Sequence, residues 1–334
     1  MKSLVACLLA LLAPIVSAAP QWWSFESHPY YDPLIAGVRD ANFSALVPAR
    51  FDRMAQMVTS DKTRTGWDID VGAEMPIFGR TSGDDTGRIG EGQWGWGLWI
   101  PIDFHMIEDF RDNSAPIINT DYRFSGMLKF RRGLANNRAV AARVQFGHES
   151  THLGDEFSID AQRTFPRTFE RINVSWQYLD LGGLYEWQAA ANIWNARGGL
   201  TMTVPFGSSY YETGPGSVTE SRIGPITESK NWWDPYLGLE YRRDRVLFNH
   251  TFGVYASSEL RWRSIFNYHK SNPDQSEERQ ASINVIAGIK KNGRGTGIGR
   301  ASPFLRVYHG VNPHGQFRNQ KNFTELGIGV RLVR

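Results

Sequence analysis

A period-two alternation of apolar and polar residues, held over runs of about ten, most narrows what this chain can become. From Trp67, the apolar set Trp67, Ile69, Val71, Ala73 and Met75 interleaves with Asp68, Asp70, Gly72 and Glu74. The next run sets Trp94, Trp96, Leu98, Ile100, Ile102 and Phe104 against Gln93, Gly95, Gly97, Trp99, Asp103 and His105. Tyr122, Phe124, Leu128 and Phe130 then oppose Arg123, Ser125, Lys129 and Arg131, and Val140, Ala142, Val144 and Phe146 oppose Ala141, Arg143, Gln145 and Gly147. Side chains along a strand point alternately to its two faces, so each run predicts a strand with one greasy and one wet side.

The pattern continues with Ile172, Val174, Trp176 and Tyr178 against Arg171, Asn173, Ser175 and Gln177. A further run places Tyr185, Trp187, Ala189, Ala191 and Ile193 opposite Glu186, Gln188 and Asn192. Weaker segments lie near residues 199–206, 235–243, 250–262, 280–290 and 303–311, and the last run sets Leu326, Ile328, Val330 and Leu332 against Glu325, Gly327, Gly329 and Arg331. The fold class expected is all-β, an antiparallel transmembrane β-barrel of about 12 strands. A soluble β-sandwich also alternates, but with strands of about 5–6 residues. Here the runs are those that cross a bilayer when tilted. Asp68, Asp70 and Glu74 are expected to meet Arg123, Lys129, Arg131 and Arg143 inside the barrel, cross-linking the lumen by ion pairs.

The first eighteen residues are expected to be a signal peptide. Lys2 is followed by an apolar stretch from Leu4 to Val16 and a small-x-small site, Val16-Ser17-Ala18, before Ala19. Leu4-Val5-Ala6-Cys7 spells a lipoprotein-type signal, but no apolar segment precedes it. Cleavage takes Cys7, the only cysteine, so the mature chain has neither disulfide nor thiolate chemistry. It also takes Lys2, lowering the formal net charge of +3 by one; with no basic run interleaved with aromatics, nucleic acid is not an expected partner. Mean hydropathy is −0.40, and no later segment is apolar enough for a helical span. The 12 Trp, 12 Tyr, 19 Phe and 33 Gly suit a β protein with one lipid-facing side.

Residues 19–66 lack clean alternation and are taken as an N-terminal extension, periplasmic or plugging the lumen, ahead of a barrel over 67–334. Pro33 to Val38 could be a short helix. Segments 207–234 and 263–279, rich in Gly, Ser, Pro and charge, read as long loops. The ending Glu325-x-Gly327-x-x-Val330-x-Leu332 resembles the signal read by the barrel-assembly machinery, the expected partner during biogenesis, although it lacks a terminal aromatic. The expected location is the bacterial outer membrane.

Phe146-Gly147-His148-Glu149-Ser150-Thr151-His152-Leu153-Gly154-Asp155-Glu156 carries the chemistry. As the end of a strand, it puts His148, Ser150 and His152 on one face, the lipid-facing one by continuation from Phe146. His148 could deprotonate Ser150 for attack on an acyl ester, with Asp155, Glu156, Asp160 or Gln162 orienting the imidazole. His152, Asp155 and Glu156 could instead hold a divalent cation such as Ca2+ that clamps lipid headgroups; the ester chemistry itself requires no cofactor. Membrane lipids are the expected partner. His148-Glu149-x-x-His152 also spells a zinc-hydrolase pattern. That pattern needs a helix, against which Gly147, Gly154 and the period of two speak. The same side chains could also form only an interfacial hydrogen-bond cluster.

His148-x-Ser150 resembles the His-x-Ser element of outer-membrane phospholipase A and lipid A deacylase, barrels whose sites face outward. The resemblance implies Gln162 as the third member, and departs where Thr151 replaces the Asn that follows the Ser. More widely, Asp103-Phe104, Asn119 to Phe124 and His148-x-Ser150-x-His152-Leu153-Gly154-Asp155-Glu156 are similar to a bacterial outer-membrane barrel family of unknown function. This implies fold and location, and no activity. The rival reading is a non-catalytic barrel, either a narrow channel or a structural envelope protein. Counting strands from Trp67 with a periplasmic N-terminus makes the His148 strand the fourth, ending near the inner leaflet. His309 and His314 stand among Gly310, Asn312, Pro313 and Gly315 and read as loop residues, as does the Gly-rich run Asn292 to Gly299.

Overall fold

In the computed structural model, the described residues are 21–25, 30–31, 33–52, 63–82, 89–109, 117–154, 172–213, 220–225, 233–247, 252–265, 278–291, 300–315 and 321–333. The alternating runs become strands β1 (Gln21–Ser24), β2 (Phe43–Asp52), β3 (Thr63–Thr81), β4 (Trp94–Asp109), β5 (Ile117–Leu134), β6 (Arg138–Leu153) and β7 (Ile172–Ala189). They continue with β8 (Asn192–Thr213), β9 (Glu220–Pro225), β10 (Trp233–Leu247), β11 (Phe252–Ser264), β12 (Arg279–Lys291), β13 (Arg300–Gly310) and β14 (Phe323–Val333). The path β3-β2-β14-β13-β12-β11-β10-β8-β7-β6-β5-β4 returns to β3 through the β3–β4 ladder, closing a barrel of twelve antiparallel strands. Closure leaves no edge, which is what a sheet in hydrocarbon requires. Two short strands are extra: β1 continues the edge of β3 beyond β2, and β9 folds back on β8.

The outer wall is greasy at alternate positions. Val71, Met75, Phe104, Phe124, Leu128, Val144, Phe146, Leu239, Val285, Val307, Ile328 and Val330 are all exposed, with Ile328 at 59%. So much exposed apolar surface marks contact with a non-aqueous medium. The partners of these residues in sequence are charged and buried: Asp68, Asp103, Arg123, Lys129, Arg143, Asp180, Glu240, Arg261 and Arg331. They pair across the bore, Arg123 Nη1 with Asp103 at 2.9 Å, Arg143 Nε with Asp180 at 3.0 Å, Arg306 with Asp68 at 2.9 Å, and Lys129 with Glu74.

The strand total agrees with the sequence reading because two departures cancel. Phe43–Asp52 is a barrel strand, so the barrel begins at Phe43 rather than Trp67. Conversely, residues 171–178 and 185–193, read as two strands, belong to one continuous β7 and the start of β8 across the turn at Ala190. The phase of the first half of β7 was inverted. Trp176 and Tyr178 are buried in the lumen, and Leu181 and Tyr185 face out. An aromatic side chain can face inward here because the bore is packed with protein rather than water. Part of the expected loop 207–234 is also ordered, as the end of β8 and as β9.

Residues 30–42 supply that packing. Pro33 to Val38 forms turns rather than a helix, with Gly37 N donating to Leu34 O at 3.0 Å. The segment lies inside the barrel and hands its backbone groups to the wall. Ile35 N donates to Glu240 at 3.0 Å, Ala36 N to Ser257 at 3.0 Å, and Ala36 O accepts from Asn284 at 2.8 Å. Tyr31 O accepts from Lys129 at 2.7 Å and Ile35 O from Arg331 at 3.0 Å. A buried irregular segment is stable only when its polar backbone is satisfied in this way. Asp40 anchors the far end, 2.5 Å from Arg143 and 3.9 Å from Arg197. Burial raises its carboxyl, but the two guanidinium groups outweigh burial and hold it below the ordinary carboxylate range. At the other end Trp23, Tyr30 and Trp99 pack together, with Trp23 Nε1 donating to Tyr30 Oη at 3.1 Å. Gly95 and Gly97 make room for them, since a Cβ at either would fall 2.4 Å from the Tyr30 or Trp23 ring.

The two barrel ends differ. One holds tight turns, Ala135 to Asn137 with φ of 59° and 55° at Asn136 and Asn137, and Ala190-Ala191, together with the start of β2 and the end of β14. The other holds the connections 53–62, 154–171, 265–278 and 311–322, while the tight-turn end also holds the longer connection 82–93 between β3 and β4. With β2 counted, β6 is the fifth barrel strand, and it runs from the tight-turn end to the long-loop end.

Candidate functional site

β6 places the motif. Its inward set is Ala139, Ala141, Arg143, Gln145, Gly147, Glu149 and Thr151, all buried. Its outward set runs Val140, Ala142, Val144, Phe146 and then turns polar at His148, Ser150 and His152. The wall thus changes from greasy to hydrogen-bonding within the last turn-and-a-half of pleat before the long-loop end. The expected shared outward face of the three side chains is what forms.

Their pairing differs from the expected one. Ser150 Oγ lies 2.7 Å from His152 Nε2, while His148 Nε2 lies 3.5 Å from Ser175 Oγ on β7. The first contact lies within β6, and the second crosses to β7 on the diagonal. Ser150 stands directly opposite Ser175 on β7 and Tyr122 on β5, whereas His148 stands opposite Gln177 and Phe124. The base within reach of Ser150 is therefore His152, two residues after it, and not His148. The Tyr122 ring meets the His152 ring edge-on at 5.8 Å and is itself packed edge-on by Phe104 at 5.5 Å. Sequence analysis missed Tyr122 and Ser175 as neighbours, since cross-strand register is not written in a single strand.

Behind the wall, the same stretch is held rigidly. Glu149 pairs with Arg39 of the luminal segment and accepts from Arg123 Nε at 3.3 Å. Gly315 of the β13–β14 connection lies so close to β6 that a Cβ there would fall 2.1 Å from the Thr151 methyl. Glu149 thus faces away from His148 and His152. Those two histidines, four residues apart on a strand, have Cα atoms about 13 Å apart. The helical geometry of the zinc-hydrolase pattern does not form. Asp155, Glu156, Asp160 and Gln162 lie outside the described residues, as do residues 1–18, expected to be a signal peptide, and the run Asn292 to Gly299.

A second cluster sits in the lumen. Asp68 on β3, His105 on β4 and His314 in the β13–β14 connection are buried, with one potential ligand atom from each lying within 4.8 Å of the others. His314 was read as a loop residue. It is one, but the connection dives into the bore, with Gly315 N donating to Asp121 at 2.9 Å and Val311 N to Ser282 at 3.0 Å. His309, by contrast, stays on the outer face of β13, 2.9 Å from Thr324. Nothing in the local sequence separates these two fates. Among the described residues, the bore holds cavities of about 10 and 30 Å3 beside Arg39 and Val38. Each is room for a water or two.

Barrel closure, the lipid-facing wall and the filled bore define an integral outer-membrane β-barrel of the plugged kind. The chain belongs to the DUF1207 family, proteins of unknown function, whose profile matches residues 19–214, more than half of the chain. No curated protein matches it in sequence. Among solved structures it is similar to the outer membrane phospholipase A of Escherichia coli, at 12% identity and a TM-score of 0.44, over 92% of this chain and 95% of that one. It is also similar to the translocator domain of the autotransporter NalP from Neisseria meningitidis, at 9% identity and a TM-score of 0.45, over 87% and 86%. A third likeness is to a mutant of the TodX monoaromatic hydrocarbon channel, at 8% identity and a TM-score of 0.39, over 91% of each chain.

Proposed function

We propose that this barrel is a lipid acyl-ester hydrolase in which Ser150 is the nucleophile and His152 the general base, working from the lipid-facing wall. The observation that carries this reading is the 2.7 Å contact between Ser150 Oγ and His152 Nε2 on the outer face. A hydroxyl that donates to an imidazole is set up for deprotonation on attack. Its position on the outer wall lets an acyl chain stay in hydrocarbon while its ester bond meets the hydroxyl.

In the reaction, Ser150 Oγ bonds to the ester carbonyl carbon as its proton passes to His152. The tetrahedral intermediate collapses by breaking the bond to the alkoxide, which leaves with the proton from His152. Water then repeats the sequence on the acyl-serine, releasing fatty acid and restoring the hydroxyl. His152 needs a group to orient its other ring nitrogen; Asp155, Glu156, Asp160 and Gln162, a few residues on, are the candidates. A Ca2+ ion held by His152, Asp155 and Glu156 would compete with this role for the same imidazole.

Bacterial barrels keep their short turns on the periplasmic side. That rule assigns the tight-turn end inward and the Ser150 wall to the outer leaflet. A strand count from a periplasmic N-terminus supports the same orientation once β2 is included, since β6 is then the fifth barrel strand. Acyl esters of the outer leaflet, either lipid A or displaced phospholipid, become the substrate class. The segment 33–42, hydrogen-bonded across the bore, argues against the narrow-channel alternative.

The test is to refold the protein in detergent micelles and supply phospholipid or lipid A, with and without calcium, for wild type and Ser150→Ala. Fatty acid released by wild type alone supports the proposal, and the lipid consumed identifies the substrate. Release by neither protein from either lipid returns the non-catalytic barrel.

A further inference from the structure

The luminal cluster has the composition of a metal site and a deficit that an ion would fill. His105 Nε2 touches the Asp68 carboxylate through Oδ1, and the His105 and His314 rings stand 4.4 Å apart, tilted by 54°. His314 is fully buried, yet neither of its ring nitrogens has a hydrogen-bond partner, and His105 Nδ1 has none either. Both carboxylate oxygens of Glu325, also fully buried, lack a hydrogen-bond donor; Arg306 Nη1 is 3.4 Å from one of them. Buried polar groups left without partners in native proteins call for an explanation, an ion among them.

We propose that Asp68, His105 and His314 bind one divalent transition-metal ion, zinc by the character of the donors, and that the ion staples the β13–β14 connection inside the barrel. Two imidazoles and a carboxylate form a borderline-soft N2O set that suits zinc. Glu325 lies beside the cluster, held by Arg306 Nη1 at 3.4 Å, and is not one of the three donors.

Donor atoms around a tetrahedral zinc at about 2.0–2.1 Å lie roughly 3.4 Å apart. The present spacing, within 4.8 Å, has to contract to that value when the ion binds. Asp68 Oδ2 is already engaged by Arg306 Nη1 at 2.9 Å, which leaves Oδ1, now against His105, as the ligand atom. That carboxylate–guanidinium contact is the outer-shell support that metal ligands commonly have.

The charges around the cluster suit a dication. Asp68, Glu325 and Asp121 are near it, against Arg306 and Arg123. Arg123 is committed to Asp103 and Glu149. The three donors come from two strands and one connection of separate sequence regions, so the ion would tie residue 314 to β3 and β4 across the bore. This inference does not depend on Ser150, whose side chain is on the other side of the wall.

To test it, the full chain is purified without a polyhistidine tag, refolded in detergent with zinc, and dialysed until free zinc is gone. Elemental analysis is expected to find one zinc retained per chain. X-ray absorption of the wild type is expected to show two imidazoles with oxygen donors at about 2.0–2.1 Å. His314→Ala and Asp68→Asn should each weaken retention at least about tenfold, while His148→Ala and His152→Ala, on the outer wall, leave it unchanged. Heat-modifiable electrophoretic mobility checks that each variant folds. Substoichiometric zinc in the folded wild type, a spectrum with fewer than two imidazoles, or equal retention by folded His314→Ala overturns the site. Should the variants fail to fold, the two wild-type measurements decide alone.

Discussion

The two faces of β6 receive alternate residues of one eleven-letter motif and put them to opposite uses. Outward, Ser150 and His152 touch each other at 2.7 Å within β6, and His148 reaches Ser175 of β7 at 3.5 Å, on the greasy side of the wall. Inward, Glu149 is a buried anion held by Arg39 and Arg123, and Thr151 is packed by the β13–β14 connection. In the proposed reaction the outward side chains act, and none of them belongs to the ion pairs of the bore. The residues between them fix the wall so that a hydroxyl and an imidazole stay in register.

That contrast can be broken most sharply at His152. Replacing it with Ala should lower acyl release by about 10²–10⁴-fold and leave the urea midpoint where it was. His148→Ala should cost far less activity; an equal loss from His148→Ala would return the base role to that residue. Glu149→Ala should behave the other way. It takes from buried Arg39 its carboxylate and from Arg123 one of two, and breaking a buried pair costs about 3–5 kcal/mol, to be read from urea unfolding in detergent. A Glu149→Ala barrel as stable as wild type would mean that the inward face is not structural.

Smaller effects probe the luminal segment behind that face. Gly97→Val would drive a side chain into Trp23, and such overpacking costs about 1–3 kcal/mol. It should appear as a loss of near-ultraviolet dichroism from the Trp23–Tyr30–Trp99 cluster with the barrel retained. The smallest effect is a pH dependence. Because the Asp40 carboxyl is held below its ordinary range, its contribution is complete above the unfolded value of about 3.9. It is lost as pH falls through the folded value. The same dichroism should therefore be level from pH 8 to 5 and decline only in stronger acid, and Asp40→Asn should remove that acid limb.

Much of this was legible in the chain. The greasy phase of β3, β4, β5, β6 and β14 could be read directly, since one face had to meet hydrocarbon. So could the outward placement of Ser150, by counting in twos from Val140. The phase of β7 was misread at Trp176 and Tyr178, because an aromatic residue satisfies a packed lumen as well as it satisfies lipid. Strand β2 was hidden for a different reason. Phe43-Ser44-Ala45-Leu46-Val47-Pro48 carries a Pro and pairs with β3 and β14 through a register shift in both ladders, which blurs the period of two. Missing that one strand inverted the direction assigned to β6. The His152–Ser150 pairing and the reach of His314 were not legible at all, because rotamers and the path of a long connection depend on neighbours far away in sequence.

Arg331 has a consequence for how such a molecule can be assembled. Its guanidinium donates to Ile35 O at 3.0 Å and to Asn42 Oδ1 at 2.7 Å from the very strand whose ladder with β2 completes the ring. The strand that completes the ring therefore joins two seams, one along β2 and one onto the chain threaded through the middle. A ring shut around nothing would leave this cation without those two acceptors, so the wall and its contents stabilise each other.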